Sequence, residues 1–332
     1  MKRLNNYSKR IKELLAELQT AGTTLVVAPM GYGKTLAVQY FLQEQERCGK
    51  KVLRQSIYGA GAEAFWQGVC HSWQNTELGA ALLQQSLPAD ANAKTLVLEL
   101  FRQLLPQEPV YWFIDDLHLL ESSEAIDFLF ALSKAGFADL HLLLVSRGQI
   151  FDGNRLLELG RKVFCLDKHD LALQRDELAE YSSRCGLQLT AQQLDALHEA
   201  CEGWFSVTYL NFLNYDRYQR FCLDTGSVYE MIANVLLRPL PSEQQRLLLL
   251  MGQPEEFTPE QVAYAYGTSC RESVGRLLEC NAFIIRLANG RLRCHHMLKQ
   301  ATRHAFGLLP EAEQQMYFRR LGQWYAQQKE YE

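Results

Sequence analysis

Read for hydrophobic and polar positions alone, the first half of the chain alternates between a helical and a strand period. Ile11, Leu14, Leu15 and Leu18 recur at three- and four-residue spacing, which predicts an amphipathic helix over Ser8 to Gln19. The β-branched run Thr23-Thr24-Leu25-Val26-Val27 predicts a strand, and the run from Leu36 to Leu42 opens a helix that ends near Gly49. Lys51 to Ile57 reads as a second strand. Phe65, Val69 and Trp73 mark one face of a helix, and Ala93 to Leu105 forms another, stopped by Pro106. Val110 to Ile114 is continuously apolar and ends in Asp115-Asp116; Leu140 to Val145 is a second such run and ends in Ser146-Arg147. Runs of this kind suit strands of a parallel sheet, because helices cover both faces and neither side meets water. With a helix at Glu124 to Lys134 and a shorter strand at Lys162 to Leu166, the pattern predicts a three-layer α/β domain over residues 1–166.

After Asp167 the strand period disappears, and a helical domain is expected over residues 167–236. Asp176 to Cys185 and Thr190 to Glu202 read as helices, the second opened by a Thr190-x-x-Gln193 capping box and followed by Gly203. Helices at Ser242 to Met251, Pro259 to Tyr266 and Arg271 to Cys280 then precede a hairpin, Phe283 to Leu287 and Arg291 to Arg293, which turns through Asn289-Gly290. Three helices and a hairpin predict a winged-helix domain over residues 237–310, and residues 311–332 read as the start of a further helical region.

Composition narrows the class. At 332 residues the chain exceeds one ordinary core, so several domains are expected. It is 48% hydrophobic and 22% charged, the balance of a globular protein. A net charge of −4 offers no electrostatic footprint for nucleic acid or an anionic membrane. No apolar run approaches the roughly eighteen residues that cross a bilayer. Nine cysteines, an odd number, show no C-x-x-C pair, which points to free thiols in a reducing, cytoplasmic compartment and away from zinc.

The candidate chemistry begins at Ala28-Pro29-Met30-Gly31-Tyr32-Gly33-Lys34-Thr35, a string of the form [Ala/Gly]-x4-Gly-Lys-[Ser/Thr] set between a strand and a helix. That is the context of a phosphate-binding loop, in which backbone N–H groups and the helix dipole face a di- or triphosphate. Pro29, Met30, Gly31, Tyr32, Gly33, Lys34, Thr35 and Leu36 are therefore expected to contact nucleotide, ATP or ADP. Lys34 would reach the β- and γ-phosphates, and the Thr35 hydroxyl would ligate Mg²⁺. Asp115 would hold Mg²⁺ directly or through water, and Asp116 would orient or deprotonate the attacking water. Arg147 matches phosphate oxygens with its planar fork and would read the γ-phosphate. Lys34, Asp116 and Arg147 form the expected catalytic set. A strand lying between the loop strand and the acidic strand is the arrangement that brings all three polar ends together.

Taken in order, APMGYGKT, FIDDLHLL, LLLVSRG, Gly203-Trp204 and Cys294-His295-His296-Met297-Leu298 resemble the MalT-type ATPases, large regulators of the LuxR class within the STAND group of signalling NTPases. Even Phe318 to Gln328 resembles the helix that starts those proteins' superhelical repeats. The resemblance implies nucleotide-binding, helical and winged-helix domains folded over ADP at rest. His295 would then touch the β-phosphate. Exchange for ATP, helped by an inducer acting on a downstream region, would open the molecule and permit self-association, with slow hydrolysis as the reset. It further implies that the chain is a fragment of a larger regulator whose DNA-binding element lies elsewhere. Where the family's helical domain often reads Gly-x-Pro, this chain has Gly203-Trp204-Phe205, so Phe205 replaces the proline that lines adenine. His118 and His296 read more readily as structural residues, and His295 also fits a hydrogen-bonded place within its own hairpin.

Two other readings compete. An AAA+-type ATPase could bind DNA directly through the winged helix; Arg286, Arg291 and Arg293 on the wing favour it. Against it, Arg271 and Arg276 are balanced by Glu272 and Glu279 on the third helix, whereas DNA-reading helices carry a basic excess. A nucleotide-dependent scaffold that never hydrolyses is the other, and Asp116 argues against it.

Overall fold

The computed structural model describes residues 8–29, 31–59, 61–221, 230, 232–267, 270–280, 283–287 and 289–328. Met30, one of the expected nucleotide contacts, lies outside them. The chain divides into two compact units between Ala172 and Leu173.

In the first unit, five parallel strands, β1 (Thr23–Val27), β2 (Lys51–Ser56), β3 (Val110–Asp115), β4 (Leu140–Ser146) and β5 (Val163–Leu166), stand in the order β2-β3-β4-β1-β5. Alternation along the strands splits their side chains between two cores. Val110, Trp112 and Ile114 of β3, with Leu142 and Leu144 of β4, face one side. There they meet α3 (Ala62–Trp73), α4 (Glu77–Leu82), α5 (Ala91–Leu104), α6 (Ser123–Ala135) and α7 (Gly153–Leu159). Tyr111 and Phe113, with Leu143 and Val145, face the other side. That side is covered by α1 (Lys9–Ala16), α2 (Lys34–Arg47) and the short α8 (Lys168–Leu171). The first core is built on aromatic edges: the Trp73 ring stands against both Phe101 and Trp112 at 5.6 Å. These are the three layers that the continuous apolar runs predict. The first predicted helix is shorter than expected; Ser8 caps it by accepting from the Ile11 N–H at 3.1 Å, and its last turn, Glu17–Gln19, tightens to 3-10 geometry.

The second unit opens with α9 (Arg175–Arg184), α10 (Ala191–Cys201) and α11 (Phe205–Tyr218). The capping box read from the sequence forms, with Thr190 and Gln193 each bonded to the other's backbone. Glu202 and Gly203 both take left-handed backbone angles, which ends α10 and turns the chain into α11. Helices α12 (Ser242–Met251), α13 (Pro259–Tyr266) and α14 (Arg271–Cys280) follow, then the hairpin β6 (Ile284–Arg286) and β7 (Leu292–Cys294), α15 (His296–Gly307) and α16 (Glu311–Gln328). The wing is wider than the sequence signals: Phe257 pairs with Leu292 through two backbone bonds of 2.8 Å, an isolated bridge that no local pattern predicts.

Helix α16 packs on the winged-helix helices along its length. Glu313 accepts from Arg246 Nε of α12 at 2.6 Å. Arg320 donates to the carbonyls of Ala265 and Tyr266, the open C-terminus of α13. Trp324 lies against Tyr264, ring centroids 5.4 Å apart. The chain can leave α13 this way because Gly267 adopts φ +89°, and a Cβ there would lie 2.3 Å from Arg320 Nη1. Gly267→Ala is expected to destabilise the protein by about 1–2 kcal/mol, the cost of a left-handed alanine, plus whatever the displaced guanidinium adds. Gly275→Ala, in the open interior of α14, should stabilise by about 0.5–1 kcal/mol. Urea unfolding of the two variants checks the opposite signs.

Candidate functional site

The site forms where β1, β3 and β4 end. Register places Val27 beside Ser146 and Ile114 beside Leu144, so the loop, the acidic pair and Ser146-Arg147 leave the sheet at one level. Strand β4 does stand between β1 and β3, as the convergence of the three polar ends requires. The Ala28 N–H donates to the Ser146 carbonyl at 3.4 Å and carries the pairing one residue beyond β1.

The loop itself turns on Gly31 (φ 85°) and Gly33 (φ 78°), both left-handed, where a side chain would be strained. Gly33 is the N-cap of α2 and brings no capping side chain, and no acidic residue occupies the first helical turn. The leading N–H groups of α2 thus have no intrahelical acceptor, which makes this terminus an anion site in its local chemistry. Pro29 is exposed at the rim, Tyr32 and Leu36 are partly buried, and the Tyr32 ring packs against the core under α1 and α2.

Lys34 folds back into the loop. It is only 9% exposed, and its ammonium donates to the Pro29 carbonyl at 2.9 Å. Burial lowers its pKa to about 8; Asp115 opposes that shift, Arg147 adds to it and Asp116 opposes it. Desolvation is thus the larger effect on this ammonium, although two carboxylates lie near it. Beside it the Thr35 hydroxyl donates to Asp115, 3.0 Å to Oδ2 and 3.3 Å to Oδ1. Asp115 is 1% exposed, and its Oδ1 also accepts the N–H of Asp116 at 2.9 Å. Asp116 itself has φ 58°, one of few non-glycine residues here in the left-handed region, where Asp is among the more tolerant residues. Thr35 and Asp115 together offer hydroxyl and carboxylate oxygens, a hard donor set suited to Mg²⁺.

His118, which the sequence reads more readily as structural, lies within electrostatic reach of Lys34, Asp116 and Arg147. It sits in the 3-10 turn after the acidic pair, and both its ring nitrogens are buried without a hydrogen-bond partner. Burial pushes its pKa down to about 4; the Arg147 charge adds to this, Asp116 opposes it, and Lys34 adds again. A neutral imidazole with two unsatisfied nitrogens, amid Lys34, Asp116 and Arg147, has polar capacity that a bound polyphosphate or its attacking water would use. The available signal was a histidine amid Leu117, Leu119 and Leu120, directly after two carboxylates.

The remaining two candidates belong to the second unit. Phe205 begins α11 with its ring stacked on Tyr181, centroids 5.4 Å apart. His295 follows β7, donates its N–H to the Phe283 carbonyl at 2.6 Å, and sets its ring edge-on to Phe283 at 5.6 Å.

A family model described as the MalT winged helix domain matches residues 233–315. No curated protein sequence matches the chain. Among solved structures, the chain is similar to a signal transduction ATPase with numerous domains (STAND) that carries a tetratricopeptide repeat sensor, from Pyrococcus horikoshii. The TM-score is 0.70 at 14% identity, covering 99% of this chain and 46% of that one. This chain therefore spans just under half the length of that protein. A Walker-type ATPase of Pyrococcus abyssi matches with a TM-score of 0.43 at 14% identity, over 90% of this chain and 95% of that one. Among the described residues, no helix is long and apolar enough to cross a membrane. The chain has an α/β P-loop NTPase fold with a three-layer parallel sheet, followed by a helical domain and a winged-helix domain of the MalT kind.

Proposed function

We propose that this chain is the ATP- and ADP-dependent switch module of a STAND-class transcriptional regulator in the cytoplasm. It is closed with ADP, opens and self-associates with ATP and an inducer that acts through a downstream region, and is reset by slow ATP hydrolysis. One observation carries the reading: Thr35 is bonded to the buried Asp115 across 80 residues of sequence, beside a buried Lys34. The match of residues 233–315 to the MalT winged helix domain supports placing that nucleotide site in a regulator of this class.

The chain's own groups divide the work. Main-chain N–H groups from Gly31 to Leu36 bind the phosphates, and Lys34 neutralises the β- and γ-oxygens. Thr35 and Asp115 would hold Mg²⁺, which supplies further positive charge to the same oxygens. Asp116 accepts the proton of the attacking water, and Arg147 stabilises charge on the γ-phosphoryl group. His118, neutral near pH 7, accepts or donates one hydrogen bond that fixes the water or Asp116. Phe205 packs against the adenine, and His295 reports the β-phosphate from the winged-helix domain. That last contact biases closure because it exists in only one of the two states.

Direct DNA binding by the winged helix is the weaker reading. Arg276 is paired with Glu272, and Arg291 lies 3.6 Å from Glu256. Arginines so engaged have less charge to offer phosphates.

Lys34→Ala is expected to weaken ADP binding by about 100-fold in calorimetry, the loss of a charge-assisted phosphate contact. Asp116→Ala and His118→Ala should retain ADP affinity yet slow single-turnover ATP hydrolysis, Asp116→Ala by about 10²–10⁴-fold. Unchanged hydrolysis in Asp116→Ala would remove Asp116 from the mechanism. His295→Ala should weaken ADP about tenfold more than ATP and shift sedimentation toward assembled forms; equal affinities with unchanged size remove that role. Anisotropy titration with duplex DNA at low salt should show no tight, salt-sensitive binding, and a steep salt slope would revive the DNA reading.

A further inference from the structure

We propose that helix α1 is a strap that ties the phosphate-loop helix α2 to the point where the chain leaves the nucleotide-binding unit, with Arg10 as its anchor. This rests on the reading that the chain is a nucleotide-dependent switch, and it names the element through which the phosphate site would act on the segment that links the two units.

Helix α8 is only four residues long, too short to persist by its own hydrogen bonds. Its N-terminus is closed locally, by a capping box between Asp167 and Asp170. Its C-terminus is closed from 160 residues away: Arg10 Nη1 donates to the Asp170 carbonyl at 2.6 Å, and Nη2 donates to the Ala172 carbonyl at 2.8 Å. One planar guanidinium thus spans two main-chain acceptors, a geometry that a single ammonium cannot reproduce. Leu171, between them, is buried in one cluster with Ile11 and Leu15 of α1 and with Ala37 and Phe41 of α2. Lys12 adds a second tie from α1 to α2, its ammonium 5.7 Å from the centre of the Tyr40 ring.

The next residue belongs to the other unit. The Leu173 N–H donates to the Gly203 carbonyl at 2.9 Å. The Ala172 carbonyl bonded to Arg10 and the Leu173 amide bonded to Gly203 belong to the same planar peptide group, so no rotatable bond separates the two anchors and a shift of one is passed to the other. Because α1 packs on α2, and α2 carries Lys34 and Thr35 in its first turn, a displacement of α2 by phosphate reaches Arg10 through close-packed side chains. Close-packed interiors transmit such shifts and do not absorb them.

The test uses the full chain, with ADP and a non-hydrolysable ATP analogue as probes. Small-angle scattering reads the radius of gyration, and amide exchange reads residues 168–173. The wild type is expected to differ between the two nucleotides in both measurements. Arg10→Lys and Arg10→Ala should bind ADP within about threefold of wild type, since the bonds of Arg10 to the Asp170 and Ala172 carbonyls lie outside the phosphate loop. They should lose at least half of the nucleotide-dependent difference in radius, and exchange at 168–173 should quicken and no longer depend on nucleotide. Lys9→Ala, an exposed neighbour on the same helix, should behave as wild type. Arg10→Lys keeps the charge and the helix, so it answers the question if Arg10→Ala does not fold. Retention of the full wild-type difference in Arg10→Lys overturns the strap. If the wild type binds ADP but shows no difference between nucleotides, the switch reading itself falls, and the strap with it, before any substitution is made.

Discussion

A carboxylate at the end of an apolar strand loses its hydration, and hydrogen-bond donors must replace the lost water. Asp115 meets that constraint with the Thr35 hydroxyl and the N–H of Asp116. Much of the site's geometry follows. Thr35 can reach Asp115 only if α2 starts at the end of β1 and β4 alone separates β1 from β3. Asp116 has left-handed backbone angles, which set the direction in which the second carboxylate leaves the strand. The charge of Lys34 then lies among Asp115, Asp116 and Arg147, with its own hydration largely removed.

Such a site is electrostatically unfinished. Lys34 is less basic than an exposed lysine, His118 is far below the ordinary imidazole range, and Arg147 contributes to both shifts. Each effect has the same origin, the burial of cationic groups whose natural complement is an anion. An anion placed among these groups would offset the penalties together.

The second unit solves a different problem, that of holding short elements in place. The hairpin of the wing has only three residues in each strand and gains a third partner from Phe257. Helix α13 ends on a left-handed glycine and leaves its carbonyls to Arg320 of α16. In the first unit Arg10 serves α8 in the same way. In both, an arginine distant in sequence takes the last carbonyls of a helix.

By itself the sequence determined the layered α/β domain, its strand boundaries to within a residue or two, the phosphate loop, the acidic pair and the hairpin. Those features are written in local periodicity and turn chemistry, such as the unbroken Val110 to Ile114 run, the glycines at 31 and 33, and Asn289-Gly290. Only the tertiary structure decided the order of the strands, the bond from Thr35 to Asp115, the partnerless nitrogens of His118, the bridge at Phe257 and the anchoring of Arg10 and Arg320. Each of these joins residues separated by tens of positions or depends on burial. Local pattern specifies which way a side chain faces along its own element, but its partner and its dielectric surroundings are set by the elements that pack over it.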